Sequence, residues 1–263
     1  MQRILIAGGG VGAYSCSYLL AKAGFYVSVF ERLPWEEIGG NQKEPVSLSA
    51  VADCAFSLPQ SWKEAVHASD PAFFLCSPSG LGKIRLDSSS AENKKDLLFL
   101  PQHDFLSCLL QQCQKEGVSF YFDTECLSPL VEQSRVVGLR LRKEGKNYYT
   151  KGSLLIDCCG YRSPIKENLP RFLGVGRSPA ENLLPTGCMV QSSCGQKNQN
   201  GIYAKPSSLF VANGYAAIGD VVGMTDPRTG SGINNALTAG AILARVILHA
   251  GERDVGGLLE HPR

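Results

Sequence analysis

A short apolar segment followed at once by a run of glycines constrains the fold of this chain more than any other feature. Residues 2–7 (QRILIA) have the length and composition of a buried parallel strand. Residues 8–13 then read GGGVGA, residues 12–22 predict a helix, and residues 26–30 (YVSVF) predict a second strand. This order of strand, glycine turn, helix and strand predicts a βαβ unit of an α/β protein.

The glycine turn fits the G-x-G-x-x-G/A pattern of dinucleotide-binding proteins. Gly8 takes the first place and allows a sharp turn out of the strand. Gly10 lets the backbone approach a pyrophosphate without an intervening Cβ, and Ala13 permits close packing of the helix on the sheet. Val11 and Gly12 open the helix, and the unpaired N–H groups at this end can hold a diphosphate.

The second strand closes at Glu31, which is followed by Arg32. A carboxylate at this place can accept both hydroxyls of an adenosine ribose, and it would repel a 2′-phosphate. The pattern alone does not separate NAD from FAD. A glycine-rich turn that binds nothing is the remaining alternative.

Composition narrows the classes of function. The 263 residues suffice for one or two domains, and a net charge of +2 gives no support for nucleic-acid binding. No apolar run approaches the roughly 20 residues of a membrane span. The 10 cysteines show no CxxC pair and no zinc spacing, and no signal peptide is visible. We therefore expect reduced cysteines, a cytoplasmic location and no metal site.

A second glycine-rich segment lies near the other end of the sequence. Residues 216–218 predict a short buried strand, and residues 233–250 predict a helix with small and apolar residues on one face. Residues 219–232 between them read GDVVGMTDPRTGSG. Asp220 can accept a hydrogen bond from a polyol or ribose hydroxyl, and the glycines before the helix leave N–H groups available to a ligand. A loop that only caps the helix would explain the glycines but not the whole run.

Together the two segments resemble the FAD-dependent oxidoreductases with the p-hydroxybenzoate-hydroxylase-like fold. The matching residues are Gly8, Gly10 and Glu31, and the run G-D-x-x-G-x-x-x-P-x-T-G-x-G-I-x-x-A over residues 219–236. The D-P-x-T-G-x-G-I version is most similar to that of the geranylgeranyl reductases and their archaeal lipid-reductase relatives. Aromatic hydroxylases of this fold usually carry histidine where Gly223 stands.

The resemblance implies FAD as the cofactor. Asp220 would bind its ribityl or diphosphate region, and the residues from Gly230 to Ile233 would lie along the isoalloxazine ring, while the first glycine turn holds the ADP half. The predicted cofactor site comprises Gly8, Gly10, Val11, Gly12, Ala13, Glu31, Arg32, Gly40, Gln102, Gly160, Gly219, Asp220, Pro227, Gly230, Gly232 and Ile233.

Three middle segments are similar to the same family. Residues 100–106 predict the start of a helix, with Gln102 where the family usually has an arginine near the flavin. Residues 154–166 resemble a strand followed by A-x-G-x-x-S-x-hydrophobic-R, with Lys166 in place of the arginine. Residues 37–40 (EIGG) resemble the stretch near the flavin that follows the ribose-binding acid.

The expected fold is α/β, with an FAD-binding Rossmann-like domain of the glutathione-reductase type and a small antiparallel β substrate part. The FAD-binding domain is expected over 1–50, 97–166 and 212–263, and the substrate part over 51–96 and 167–211. A polar loop is expected at 87–96, and strands are expected at 73–77 and 82–86 (a hairpin), 118–122, 124–131, 135–142 and 147–155 (a β-meander), 186–194 and 201–211.

The resemblance implies an enzyme that reduces C=C bonds of an isoprenoid or lipid-like substrate by hydride transfer from reduced flavin. The electron donor would be a nicotinamide nucleotide or a redox protein, and lipid substrates would bring peripheral membrane contact. The oligomeric state is left open. The alternatives are a flavin-dependent monooxygenase or halogenase of the same fold, and a non-catalytic FAD-binding module, which the short substrate part keeps open.

No side chain is assigned as catalytic. His67, His103 and Tyr203 are candidate proton donors, although helix capping or solvent exposure better explains a histidine at the helix start. Cys158 and Cys159 could relay electrons to a flavin. Adjacent cysteines rarely close a disulfide, however, and packing at a buried strand end is the favoured interpretation.

Overall fold

The structure is a computed structural model. It describes residues 2–40, 43–66, 73–76, 83–86, 97–175, 183–185, 189–192, 197–198, 202–204, 210–225 and 232–250.

The strands are β1 (Arg3–Ala7), β2 (Tyr26–Phe30), β3 (Lys43–Ser47), β4 (Phe73–Cys76), β5 (Lys83–Leu86), β6 (Leu97–Pro101), β7 (Ser119–Tyr121), β8 (Glu125–Glu132), β9 (Arg135–Lys143), β10 (Lys146–Lys151), β11 (Leu154–Asp157), β12 (Leu183–Pro185), β13 (Met189–Ser192), β14 (Lys197–Asn198), β15 (Ile202–Ala204), β16 (Val211–Ala212) and β17 (Tyr215–Ala217). The α-helices are α1 (Val11–Lys22), α2 (Leu48–Asp53), α3 (Gln60–Val66), α4 (Gln102–Lys115), α5 (Pro164–Glu167) and α6 (Ile233–Ala250), and single 3-10 turns lie at Trp35–Glu37, Arg171–Leu173 and Gly219–Val222.

A six-stranded sheet forms the centre, in the order β16-β17-β11-β1-β2-β7. Its strands run parallel except β16, which pairs antiparallel with β17. In the middle of the sheet, Ile4 pairs with Val27 on one side and with Leu154 on the other. The predicted α/β class, with a mostly parallel Rossmann-like sheet, is confirmed.

Two predicted meander segments belong partly to this central sheet. Residues 118–122 form β7, which pairs parallel with β2 and not with the meander. The segment 147–155 divides at Gly152 into β10 and β11, because the backbone crosses there onto the sheet. A Cβ on Gly152 would lie 2.7 Å from Leu5 Cγ and 2.8 Å from the Arg3 carbonyl oxygen, so the crossing is too close for any other residue.

The remaining strands form small antiparallel sheets. The meander is β10-β9-β8, and the predicted hairpin is confirmed as β4 and β5, extended by β13 and β14. β3 pairs with β6, and β12 pairs with β15. The predicted polar loop at 87–96 lies outside the described residues.

Alternate residues of the central strands face two different apolar cores. Ile4 and Ile6 join the core that includes α1, α4 and α6, whereas Leu5 and Ala7 join the core shared with the meander. The first core also contains residues of the predicted substrate part (51–96), such as Val51. The division into an FAD-binding domain and a substrate part remains a proposal.

Within the described ranges, no helix is long and apolar enough to cross a membrane. In the same part of the chain, no three His, Cys, Asp or Glu side chains are grouped in a way that could hold a metal ion.

Candidate functional site

A cleft of about 420 Å³ lies at the carboxyl ends of the parallel strands β1, β2, β11 and β17. This is where open α/β sheets bind their ligands. The predicted site residues that line the cleft are Gly10, Val11, Gly12, Glu31, Arg32, Gln102, Gly160, Gly219, Asp220, Gly232 and Ile233.

Three other predicted residues, Gly8, Ala13 and Gly40, are not among those that line the cleft. Pro227 and Gly230 lie outside the described residues. Ile38, Gly39, Cys158 and Cys159, from segments that the sequence placed near the flavin, also line the cleft. The lining residues that the sequence did not indicate are Gly9, Leu33, Glu44, Leu106, Ile218 and Ala236.

The first wall of the cleft is the N-terminal end of α1. Gly10 is its N-cap, with extended backbone (φ −71°, ψ 167°), and no side chain caps the helix. A Cβ on Gly10 would meet only the Cys158 carbonyl oxygen, at 3.5 Å, which is an ordinary contact. The fold itself therefore does not require glycine here, and the helix end presents free N–H groups to the cleft.

The neighbouring glycines are required by packing. Gly8 has a φ of +89°, and a Cβ there would lie 2.5 Å from the Cys158 carbonyl oxygen. On Gly12, a Cβ would lie 3.1 Å from Ile218 Cδ1 and 3.2 Å from the Ala236 carbonyl oxygen. Within the turn the closest approach is therefore at Gly8, against the end of β11, while Gly12 lies against the start of α6 and Ala13 is fully buried.

Glu31 fixes the loop that carries this wall. Its Oε2 accepts a hydrogen bond from the Gly9 N–H at 2.6 Å, and its Oε1 accepts one from the Leu33 N–H at 2.9 Å. A carboxylate has about four lone-pair positions, so both oxygens can still accept hydroxyl donors from the cleft.

The second wall is the turn that follows β17. Gly219 has a φ of +77° and Gly223 a φ of +75°, the left-handed region in which other residues are strained. Asp220 Oδ1 accepts a hydrogen bond from Thr225 Oγ1 at 2.8 Å. A Cβ on Gly232 would lie 2.8 Å from the same oxygen, so a larger residue there would displace the Asp220 carboxylate from its place beside the start of α6.

A third side of the cleft comes from β3, α4 and the loop before β3. Gln102 begins α4, and Glu44 on β3 lines the cleft beside it. Asn234 of α6 holds β3 in place, because its Oδ1 accepts from the Ser47 N–H at 2.8 Å and its Nδ2 donates to the Pro45 carbonyl at 3.2 Å. No motif in the sequence pointed to Glu44 or Asn234.

The charges on the described cleft lining are mostly negative. Its carboxylates are Glu31, Glu44 and Asp220, and its cation is Arg32. The partial positive charge of the α1 end is therefore the main attraction that this wall offers to an anion.

The candidate proton donors do not gain a catalytic position. His103 is half-buried, its Nδ1 lies 2.7 Å from the Ile38 carbonyl oxygen, and its ring packs against Trp35. It neither caps α4 nor lines the cleft. His67 lies outside the described residues, and the side chain of Tyr203 is not described.

Cys158 and Cys159 lie between the two walls as free thiols. Burial raises the pKa of Cys158 well above its usual range, and contact with the Cys126 thiol together with burial does the same for Cys159. Both side chains are therefore protonated thiols at neutral pH, the unreactive form. This arrangement supports packing over electron relay.

Iodoacetamide applied to the folded protein near neutral pH is expected to leave Cys158 and Cys159 unmodified, because only a thiolate reacts quickly. Peptide mass spectrometry measures the extent, with the urea-unfolded protein as the fully modified control. Rapid modification of either residue in the folded state would contradict the assignment of both side chains as protonated thiols. It would make electron relay to the flavin a candidate role for them again.

The chain is similar to known proteins in both sequence profile and fold. The profile of the FAD binding domain family matches residues 1–191. No curated protein matches the chain in sequence.

Solved structures share its fold at low identity. A geranylgeranyl bacteriochlorophyll reductase-like protein from Thermoplasma acidophilum is 19% identical with a TM-score of 0.68, over 95% of this chain and 79% of that one. A myxobacterial chondrochloren halogenase is 15% identical with a TM-score of 0.65, over 95% and 76%. An aklavinone-11 hydroxylase, solved with FAD and aklavinone, is 17% identical with a TM-score of 0.66, over 95% and 63%.

Proposed function

Because the chain belongs to the FAD binding domain family and its cofactor is FAD, we propose that it is an FAD-dependent oxidoreductase that reduces C=C bonds of an isoprenoid or lipid-like substrate. The observation that carries this proposal is the pair of glycine-lined walls, at Gly10 and at Gly219, that face one cleft. The space at Gly10 is open to a dinucleotide diphosphate, since only the Cys158 carbonyl oxygen lies within 4 Å of a Cβ built there.

The residues of the cleft have distinct proposed roles. The N–H groups at the start of α1 would hold the diphosphate, and Glu31 would accept the ribose hydroxyls. Asp220 would bind the ribityl or diphosphate region, and Gly232 and Ile233 would lie along the ring. When bound, FAD supplies hydride transfer to the substrate. The proposed site keeps Gly8, Ala13 and Gly40 as residues that shape these loops rather than line the cleft.

The reductase assignment is supported by the second wall. Gly223 stands where aromatic hydroxylases usually carry histidine, and its φ of +75° lies in the left-handed region that favours glycine. The run over residues 219–236 resembles that of geranylgeranyl reductases, and one structural neighbour is described as geranylgeranyl bacteriochlorophyll reductase-like. The substrate would then be a small lipid-like molecule. We extend the proposal to a nicotinamide nucleotide or redox protein as the electron donor, to peripheral membrane contact and to a cytoplasmic location.

A flavin-dependent monooxygenase or halogenase is the second candidate. The halogenase and the hydroxylase match the fold with TM-scores of 0.65 and 0.66, close to the 0.68 of the reductase-like protein. These enzymes consume dioxygen together with substrate, whereas a C=C reductase does not. A non-catalytic FAD-binding module would neither consume dioxygen with a substrate nor reduce a C=C bond.

The deciding experiment uses the purified protein loaded with FAD. After anaerobic reduction by dithionite, geranylgeraniol is added and the product is analysed by mass spectrometry. Reoxidation of the flavin with a product two mass units heavier would support the reductase. In a parallel aerobic assay with NADH or NADPH as the reductant, substrate-dependent oxygen consumption without reduction of the substrate's C=C bonds would favour the monooxygenase. Flavin that is unaffected by any substrate in either assay would favour the module.

Replacing Glu31 with glutamine is expected to weaken FAD binding about tenfold, because one hydrogen bond to a charged group contributes about 1.5–3 kcal/mol. The amide nitrogen cannot accept from the Gly9 or Leu33 N–H. Quenching of flavin fluorescence on titration gives the affinity. Glu36→Gln, at an exposed neighbouring acid, is the matched control. Equal affinity of the two variants would exclude Glu31 from the site.

A further inference from the structure

Asp157 is a fully buried carboxylate at the end of β11, directly before the cleft residues Cys158 and Cys159. Its Oδ2 accepts hydrogen bonds from Ser163 Oγ and, at 3.0 Å, from Tyr215 Oη. Its Oδ1 accepts one from the Cys159 N–H at 3.0 Å. Three donors thus converge on one side chain in the protein interior.

Hydrogen bonds from these donors favour the ionised form of Asp157. The Cys159 N–H can only donate, and Ser163 Oγ, which accepts from the Lys166 N–H at 3.1 Å, has its hydroxyl hydrogen available to the carboxylate. A carboxylate surrounded by donors is matched to its ionised form. Burial raises the pKa of Asp157, and the three hydrogen bonds act in the opposite direction.

Lys166 of α5 is the second buried ionisable side chain of this network. It is buried, and its Nζ donates to the Val221 carbonyl at 2.9 Å. Burial lowers the pKa of this ammonium group, and the nearby Asp157 carboxylate opposes that effect. The chain therefore places an acid and a base in its interior beside the cleft, and their hydrogen bonds have to offset the cost of removing them from water.

The two side chains reach two sides of the cleft: Asp157 holds the Cys158–Gly160 segment between the walls, and Lys166 holds the second wall. Asp157 holds the Cys159 N–H on one side, and its main-chain carbonyl accepts from the Ile218 N–H at 3.0 Å on the other. Lys166 holds Val221 within the Gly219–Val222 turn. One buried network therefore connects the Cys158–Gly160 segment to the turn that carries Gly219 and Asp220.

We propose that Asp157 and Lys166, linked through the Ser163 hydroxyl, form a buried brace that sets the spacing between the Cys158–Gly160 segment and the second wall, and so act as positioning residues for FAD. Neither side chain lines the cleft, so the effect passes through the backbone that they hold. The proposal rests on FAD as the cofactor and is independent of which substrate is reduced.

The test is a titration of FAD into apoprotein, followed by flavin fluorescence, for Lys166→Met, Lys166→Arg and the parent. Lys166→Met is expected to raise the Kd about tenfold, the effect of losing one charge-assisted hydrogen bond. Lys166→Arg, which can still donate to Val221, is expected to restore the Kd to within about twofold. Hydrogen exchange at the amides of residues 158–160 and 219–222 should be faster in the Met variant.

Val136→Ala separates positioning from stability. Val136 is fully buried in the same core cluster as Tyr215 but contributes nothing to the cleft. It should lower the melting temperature of the apoprotein and leave the Kd for FAD unchanged. A Kd for Lys166→Met that equals that of the parent or of Val136→Ala would overturn the brace.

Tyr215→Phe removes only one hydroxyl from Asp157 and gives the same test if the Met variant fails to fold. A raised Kd would support the brace, and a parental Kd would overturn it. No substrate enters these titrations, so a wrong reductase assignment would leave their outcome unaffected.

Discussion

Gly10→Asp is expected to lower the affinity for FAD by about a hundredfold or more while the apoprotein remains as stable as the parent. Aspartate is a favoured N-cap, and the backbone at Gly10 (φ −71°) suits any residue. Its carboxylate would, however, accept hydrogen bonds from the N–H groups that are proposed to hold the diphosphate, and its negative charge would repel that anion. Fluorescence titration measures the affinity, and differential scanning fluorimetry of the apoprotein measures stability.

Gly117→Ala is the matched control for this substitution. Gly117 has a φ of +88° beyond the end of α4, and nothing lies within 4 Å of a Cβ built on it. Alanine there should cost about 1 kcal/mol of unfolding free energy because of the left-handed backbone, without any change in FAD affinity. Gly10→Asp is thus expected to lower FAD affinity without loss of stability, and Gly117→Ala to lower stability without loss of FAD affinity. Parental FAD affinity in Gly10→Asp would show that the α1 end does not hold the cofactor.

Gly240→Ala is expected to lower the free energy of unfolding by about 3 kcal/mol, the upper part of the range for overpacking. Glycine to alanine within a helix ordinarily stabilises by about 1 kcal/mol, so the expected sign is reversed. The reason is the crossing of α6 over α1, where the added Cβ would overlap Ser15 Oγ and lie 2.6 Å from the Gly12 carbonyl oxygen. Urea denaturation monitored by circular dichroism gives the value.

Two further variants locate the effect at the helix crossing. Ser15→Ala combined with Gly240→Ala should recover part of the loss, because the hydroxyl overlap is removed while the contact with Gly12 remains. Ile242→Ala, on the exposed side of the same helix, should change the unfolding free energy by no more than about 0.5 kcal/mol. A Gly240→Ala protein with the parental free energy of unfolding would mean that α1 and α6 lie further apart than in the structure.

Elements whose signal is local could be predicted from the sequence. β1, α1, β2 and α6 begin and end within one or two residues of the predicted positions, because apolar spacing and glycines mark both ends. The strand partners could not be predicted in the same way. Alternation identified 118–122 as a strand, but its parallel pairing with β2 depends on a crossover that no residue of the segment encodes.

For the residues of the cleft, too, the sequence predicts positions in a local motif but not positions set by contacts between distant segments. The glycine pattern indicated Gly10 and Gly12 because these positions follow a recurrent turn. Glu44 reaches the cleft only because β3 pairs with β6 and is held by Asn234, contacts that span much of the chain. The same pattern predicted close helix–sheet packing at Ala13, which is fully buried, but it gave no sign of the contact between Gly12 and α6, because α6 is distant in sequence.

The two walls of the cleft are separated by about 200 residues of sequence. On a ribosome that adds about 5–20 residues per second, the Gly10 turn emerges many seconds before Gly219 and α6. The nascent chain would meanwhile carry half a cofactor site, with the face of α1 that α6 covers still open. FAD can therefore stabilise this protein only after synthesis has passed α6, and the supply of FAD would govern the survival of finished chains rather than their early folding.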